Sequence, residues 1–490
     1  MSKQINWEQI FVKLILIAGV ALSVIQFIYN RSLWDDEANL ALNIIHRSAF
    51  ELLKPMDSIQ VAPILFLQME KLFSLLIPES ERGLRLFLLI CFLIALFSFS
   101  ALLKKLFNNP VVVIFGLSLF VFNTFMIRYS NEVKQYMCDV MLTAVIGYLL
   151  LSLHDDEKRK FIWLAVAGAV GVFVSNITPI IMATAGLYLL HSHFYIRKLN
   201  FPYFIKVSLV WALVFGFYYF LFIYDHPNRD IQVRAFDKRG GFFNPNLFTP
   251  EFFVSVKLIF NNFFVDLLPF GKAGTIILSI LYGFGLFVLI VKKRIGLLIL
   301  TVTPMFLHLV LSSLKMYPVF ARLMLYQTPL LIIVVAFGVE QLFEYVSRVI
   351  KSKLIFKAGL VLSLFVVIQF FVNGYPFVNQ EIRKSIDFIQ ENISEGEPVY
   401  IDWRARRQFQ YYVDIKYVKF KAPIITGIRY NEFSEKNIND LKSLSGKHWV
   451  LFAGGDYGMQ KKLIRKLGKS GVKIEKSFLT SKSHTYLIDI

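Results

Sequence analysis

Apolar residues run in long unbroken blocks over the first 373 positions of the 490-residue chain, and polar residues gather between the blocks. Runs of about 18 or more apolar residues are long enough to cross a bilayer as helices. Eleven such spans are predicted, approximately at 10–29, 85–104, 110–127, 136–153, 161–175, 178–194, 204–223, 274–292, 296–314, 322–343 and 356–373. Backbone polar groups in hydrocarbon must bond within their own segment, so continuous apolar runs predict helices. A β-barrel would instead alternate apolar and polar positions. The pair 161–175 and 178–194 is divided at "SNITP"; a single broken helix there would invert everything downstream. The first run is longer than a signal-peptide core and lacks a small-residue cleavage site, so it is expected to stay as a membrane helix.

Two intervals break the pattern. Residues 30–84 are too long for a turn and too apolar for a solvated loop. In "EANLALNII", Leu40, Ala41, Ile44 and Ile45 share one helical side while Asn39 and Asn43 share another, and "PILFLQMEKLFSLLI" carries Gln68, Lys71 and Ser74 at helical spacing. Both are expected to be amphipathic helices lying in the membrane interface. From about 376 the long runs end. "EIRKSIDFIQENI" and "MQKKLIRKLGKSG" are helix patterns, while "PVYIDW" and "HWVLFAG" are buried-strand patterns, predicting a small α/β domain over 376–490. The expected fold class is therefore a mainly α, polytopic membrane protein. A membrane module over 1–375 includes a first loop at 30–84 and a lid-like loop at 225–273, and a C-terminal α/β domain follows.

Composition supports this class: 56% of residues are hydrophobic and only 18% charged, against roughly a quarter charged in soluble domains. The net charge of +19 does not call for nucleic acid, because basic residues cluster in alternate short loops, as the positive-inside rule expects. With a cytoplasmic N-terminus these loops hold Lys104 and Lys105, "KRK" at 158–160, Arg197 and Lys198, "KKR" at 292–294, and Arg348, Lys351, Lys353 and Lys357. The opposite face then receives 30–84, 128–135, 224–273, 315–321 and the C-terminal domain. Cys91 and Cys138 both lie within apolar runs, which indicates neither a disulfide framework nor a metal site.

Three polar clusters fall on that outer face: Asp35, Asp36 and Glu37; then Arg128, Tyr129, Glu132, Lys134 and Tyr136 in "RYSNEVKQY"; then Lys315, Tyr317 and Arg322 in "KMYPVFAR". Each has an ordinary structural explanation. Acids at a helix start cap free N–H groups, basic side chains at span ends snorkel, and tyrosines line membrane interfaces. His308 and Pro304, inside a span, are expected as packing and kink features. Capping does not require three consecutive acids, and the convergence of carboxylates, cations and tyrosines on one face suits chemistry. A carboxylate can act as general base, cations can hold a phosphate, and interface helices can admit a lipid chain.

The ordered motifs resemble the GT-C glycosyltransferases, specifically bacterial family 39 proteins similar to protein O-mannosyltransferases and to lipid A aminoarabinose transferases. An aspartate–glutamate motif follows the first span in "LWDDEANLAL". Pro63 and Arg85 flank "VAPILFLQMEKLFSLLIPESERGLRL". "SNEVKQY" opens the fourth span, "YPVFAR" comes late, and Tyr411 and Tyr412 lie in the C-terminal domain. The resemblance implies an inverting transfer of a sugar from a polyprenyl-phosphate donor on the extracytoplasmic side of a bacterial inner membrane. It makes the aspartate of the aspartate–glutamate pair the catalytic base, best matched by Asp36 followed by Glu37, with the extra Asp35 leaving the register open by one residue. It assigns Glu132 to acceptor or metal binding and Arg322 and Arg128 to the donor phosphate, with Lys134 standing where relatives often have Arg. Lys134, Tyr136, Tyr317 and Arg85 complete the expected substrate-binding set. The expected partners are membrane lipid, the lipid-linked donor and a glycan, lipid or protein acceptor. Metal dependence varies in the superfamily, so a divalent ion is neither required nor excluded. The rival readings are an ion-coupled transporter or lipid-linked sugar flippase, and a non-catalytic membrane scaffold.

Overall fold

The structure, a computed structural model, describes residues 7–153, 157–196, 201–348, 352–429, 435–454, 457–469 and 471–490. Arg197, Lys198 and Lys351, three of the cations used for orientation, lie outside the described residues. All eleven apolar runs are helical. Among the described residues, six helices are long and apolar enough to cross a membrane: Trp7–Tyr29, Gly83–Leu106, Phe201–Ile223, Gly271–Val291, Ile295–Ser313 and Ala321–Val346. Pro110–Val121, Tyr136–Leu151 and Phe356–Val372 are shorter apolar helices. The "SNITP" division is real: Glu157–Val174 ends before it and Thr178–His191 starts after it, with Pro179 in the first turn, where its missing N–H costs nothing. A break not expected falls in the 110–127 run. The Asn123 side chain accepts from the Phe125 and Met126 N–H groups and starts a separate helix, Thr124–Tyr129.

Chain contacts divide the protein into two units. The first comprises 1–27, 61–69 and 86–375. Inside it, Gly271–Val291 and Thr328–Val346 approach backbone to backbone. A Cβ on Gly285 would collide with the Val334 carbonyl, and one on Gly338 with the Leu281 carbonyl. Small residues permit such approach where lipid offers no hydrophobic drive to association. Gly338→Val is therefore expected to lower the melting temperature of the detergent-solubilised protein, through overpacking of about 1–3 kcal/mol; an unchanged melting curve would contradict this packing. The 225–273 interval is not an irregular loop: it holds the helices Arg229–Asp237 and Pro250–Asn261, the second capped by Thr249. It is fastened to the 315–321 segment by Val319 N–H donating to the Gly241 carbonyl (2.7 Å) and by the Asn262 amide donating to the Val319 carbonyl (2.7 Å). Cys91 and Cys138 are free, buried thiols 3.7 Å apart.

The second unit comprises 28–60, 70–85 and 376–490. Its sheet contains β1 (Val399–Ile401), β2 (Ile424–Thr426), β3 (Lys447–Ala453), β4 (Lys473–Thr480) and β5 (Ser483–Asp489), in the order β2-β1-β3-β5-β4. Strands β2, β1 and β3 run parallel, and β5 and β4 join antiparallel at one side. "PVYIDW" and "HWVLFAG" thus become β1 and β3. Tyr400, Val450, Phe452, Leu467 and Ile488 pack together in the domain core. The amphipathic helix expected in "EANLALNII" is Asp35–His46, and the one in "PILFLQMEKLFSLLI" is Ile64–Leu76.

Candidate active site

In the second unit the chain leaves Trp7–Tyr29 through Asn30, whose left-handed backbone (φ 47°) suits an asparagine, and enters Asp35–His46 through Trp34. Glu37 is fully buried. Its carboxylate accepts from Arg31 at 2.6 Å, from Arg85 at 3.3 Å and from the Trp34 N–H at 3.3 Å. Arg85, also buried, donates to the Arg31 carbonyl (2.6 Å) and to the Asn30 side chain (3.3 Å). Charge-assisted bonds of this kind are short and strong. Glu37 and Arg85 therefore form the footing of the loop.

The two aspartates differ. The Asp35 carboxylate accepts from Asn39 one turn on (3.3 Å), and its backbone N–H donates to Gln380 (3.2 Å). Burial, then the neighbouring Arg407, lowers the Arg406 pKa, and the Asp35 charge opposes that shift. Asp36 is half-buried and accepts from the Gln60 amide at 3.5 Å. All these partners belong to the same unit.

Glu81 is a second buried acid in this unit, and nothing in its sequence context ("PESERG") marks it out. It accepts from Asn30 (3.1 Å) and from the Tyr412 hydroxyl (2.8 Å), and it pairs with Arg383 at 3.4 Å. The Tyr412 hydroxyl also accepts from the Leu33 N–H at 2.9 Å. Arg383 donates to the Asn30 carbonyl, and its N–H donates to Ser32 (3.2 Å). Burial, then the Glu81 charge, raises the Tyr412 pKa well above the usual tyrosine value, so the hydroxyl stays protonated and can donate. The Tyr411–Tyr412 pair thus supports the acid loop. Tyr412→Phe leaves the Leu33 N–H and one Glu81 oxygen without that hydroxyl, a cost of about 1–3 kcal/mol. The expected result is a lower melting temperature of the full chain, with faster proteolysis at residues 30–34; wild-type behaviour in both would refute the bridge.

In the first unit a separate cluster gathers around Tyr129. Arg128 pairs with the fully buried Glu132 at 3.2 Å and lies over the Tyr129 ring at 5.7 Å. Tyr129 meets Tyr136 edge to face at 5.5 Å, and both Arg128 and Arg322 bear electrostatically on its hydroxyl. Lys134 is buried. Lys315 turns aside to an exposed pair with Asp237 (2.9 Å). The Tyr317 hydroxyl is buried, with no hydrogen-bond partner among the described residues, and its ring lies edge-on to His308. Burial, followed by the Asp139 charge, raises its pKa well above the ordinary value. His308 binds the Tyr326 hydroxyl (3.0 Å) and the Pro318 carbonyl (3.2 Å), a bracing role consistent with packing.

Asp139, like Glu81, is a residue that sequence reasoning passes over. It is buried in the first turn of Tyr136–Leu151 and accepts from Ser175 at 2.5 Å. An ionisable residue within an apolar run was the signal for it. Among the described residues no three His, Cys, Asp or Glu side chains gather as a metal-binding group.

No protein-family model and no curated protein matches the sequence. Solved structures share its fold, two of one protein among them. The crystal structure of ArnT from Cupriavidus metallidurans bound to undecaprenyl phosphate superposes with a TM-score of 0.54, at 9% identity and with 98% of each chain covered. The apo form of the same protein gives 0.53, at 11% identity, again over 98% of each chain. The chain therefore has the fold of these two structures, as the ordered motifs led one to expect.

Proposed function

We propose that this protein is an inverting glycosyltransferase that moves a sugar from a polyprenyl-phosphate donor to an acceptor at the extracytoplasmic face of a bacterial inner membrane. In a single displacement, Asp36 takes the proton from the acceptor hydroxyl as its oxygen attacks the anomeric carbon. The bond from that carbon to the phosphate oxygen breaks, and the polyprenyl phosphate leaves. Arg322 and Arg128 stabilise the departing phosphate, Glu132 with Lys134 and Tyr136 orients substrate, and Tyr317 supplies a hydroxyl donor. Cations at developing phosphate charge are among the strongest sources of rate enhancement.

The observation that carries this reading is the sorting of three adjacent acids. Glu37 is buried and bonded to Arg31 and Arg85, whereas Asp35 and Asp36 stay half-buried, Asp35 bonded to Asn39 and Asp36 accepting from Gln60 among its contacts. The likeness to a protein crystallised with undecaprenyl phosphate supports the donor class. The test uses purified full-length protein in detergent with a polyprenyl-phosphate sugar pool extracted from membranes. Donor consumption with release of polyprenyl phosphate is expected; no consumption sinks the proposal. One observation favours the rival ion-coupled transporter, namely Asp139 buried in an apolar helix. A transporter would instead give counterflow in liposomes with the lipid chemically unchanged.

A further inference from the structure

We propose that Trp403, Arg406, Arg407 and Arg429 form a binding site for an oxyanion carried by the acceptor, a phosphate or carboxylate on a saccharide; the assignment to the acceptor rests on the proposed transfer. The sequence "DWRARRQ" puts three arginines in four positions, and the last two open the helix Arg406–Asp414. Helix starts ordinarily attract acids, because the free N–H groups there carry partial positive charge. Here two guanidiniums are added to that positive end. This arrangement disfavours the empty domain and favours a bound anion.

The side chains are held in place. The Arg406 guanidinium lies on the Trp403 ring, 3.2 Å from its centroid, and donates to the Trp403 carbonyl at 2.6 Å. Arg429 approaches the same ring at 5.9 Å. The Nε of Arg407 is buried without a hydrogen-bond partner among the described residues. Two acids bear on Arg406. Asp402 accepts from the Arg404 N–H at 3.0 Å and is buried, and Asp35 is engaged with Asn39. Both acids are thus occupied locally, and the planar guanidinium forks suit a bidentate oxyanion. The cluster belongs to the same unit as Asp36 and lies within electrostatic reach of the adjacent Asp35. An anion held here would bring its saccharide to the proposed base. The C-terminal segment 376–490 carries 20 basic against 13 acidic side chains, which favours capture of an anionic substrate.

The experiment measures binding to the full-length protein in detergent by titration calorimetry. The probes are glucose 6-phosphate, glucuronate, neutral glucose and undecaprenyl phosphate. Wild type is expected to bind the two anionic sugars and not glucose, with affinity falling as salt rises. Arg407→Gln and the more exposed Arg429→Gln should each weaken sugar-anion binding about tenfold or more, while undecaprenyl phosphate binding is unchanged. Asp36→Asn should keep sugar-anion binding, so failure of the base assignment and failure of this site are told apart. Binding of anionic sugars that neither arginine variant weakens, or no binding by wild type, overturns the site. Equal loss of undecaprenyl phosphate binding overturns the acceptor assignment and gives the arginines to the donor. A melting curve identifies any variant that is misfolded, and Arg429→Gln, at an exposed position, remains the test if Arg407→Gln fails to fold.

Discussion

Asp36→Asn is expected to lower kcat for sugar transfer by about 10²–10⁴-fold while the protein melts as wild type does. That range is the usual contribution of a positioned general base. An amide keeps the size of the side chain and can still meet the Gln60 amide, which lies at 3.5 Å. It cannot take a proton from the acceptor. The same change at Asp35 is expected to cost far less in kcat, because Asp35 is bonded within its own helix to Asn39. Steady-state donor consumption by the two variants, measured beside wild type, separates the adjacent aspartates. Equal turnover by Asp36→Asn and wild type would remove Asp36 from the reaction, and a larger loss at Asp35 would shift the register by one residue.

Glu37→Leu is expected to act in the opposite sense, losing the fold before the chemistry. It leaves Arg31 and Arg85 buried with their common carboxylate gone. Removing one partner of a buried ion pair costs about 3–5 kcal/mol, because the remaining charge stays desolvated. Both guanidiniums are affected here, so the loss should lie toward the upper end of that range. The expected measurement is a large drop in melting temperature of the full chain, with activity falling in parallel. Glu37→Gln, which keeps an acceptor oxygen for Arg31, should lose less stability than Glu37→Leu. A Glu37→Leu protein that melts like wild type yet is inactive would place Glu37 in the reaction itself.

These two variants differ by one position in the sequence, and nothing in "WDDEANL" separates them. Burial does. The helix rotates adjacent side chains by about 100°, so Glu37 turns into the arginines while Asp36 turns toward Gln60. Those arginines are distant in the chain or unremarkable in it: Arg85 lies 48 residues on, and Arg31 precedes the helix. Likewise Glu81, Arg383 and Tyr412 meet at the 30–34 loop across some 330 residues of chain. Tyr412 is suggested by family likeness alone, and Glu81 by nothing. Asp139 was legible in principle as an acid in an apolar run, yet its hydrogen-bond partner Ser175 comes from another segment.

By itself the sequence determined the helical membrane class, the eleven helical runs, the division at "SNITP" and the strands in "PVYIDW" and "HWVLFAG". Each of these is written in local periodicity and unbroken hydrophobicity, which hold whatever the rest of the chain does. Only the tertiary structure decided that 28–60 and 70–85 pack into one unit with 376–490, that Glu37 is a buried anchor, and that Trp403 gathers Arg406 and Arg429. Those outcomes depend on which distant charges share a desolvated space. A buried charge is tolerated only where its partner is brought to it, and that is a property of the folded chain.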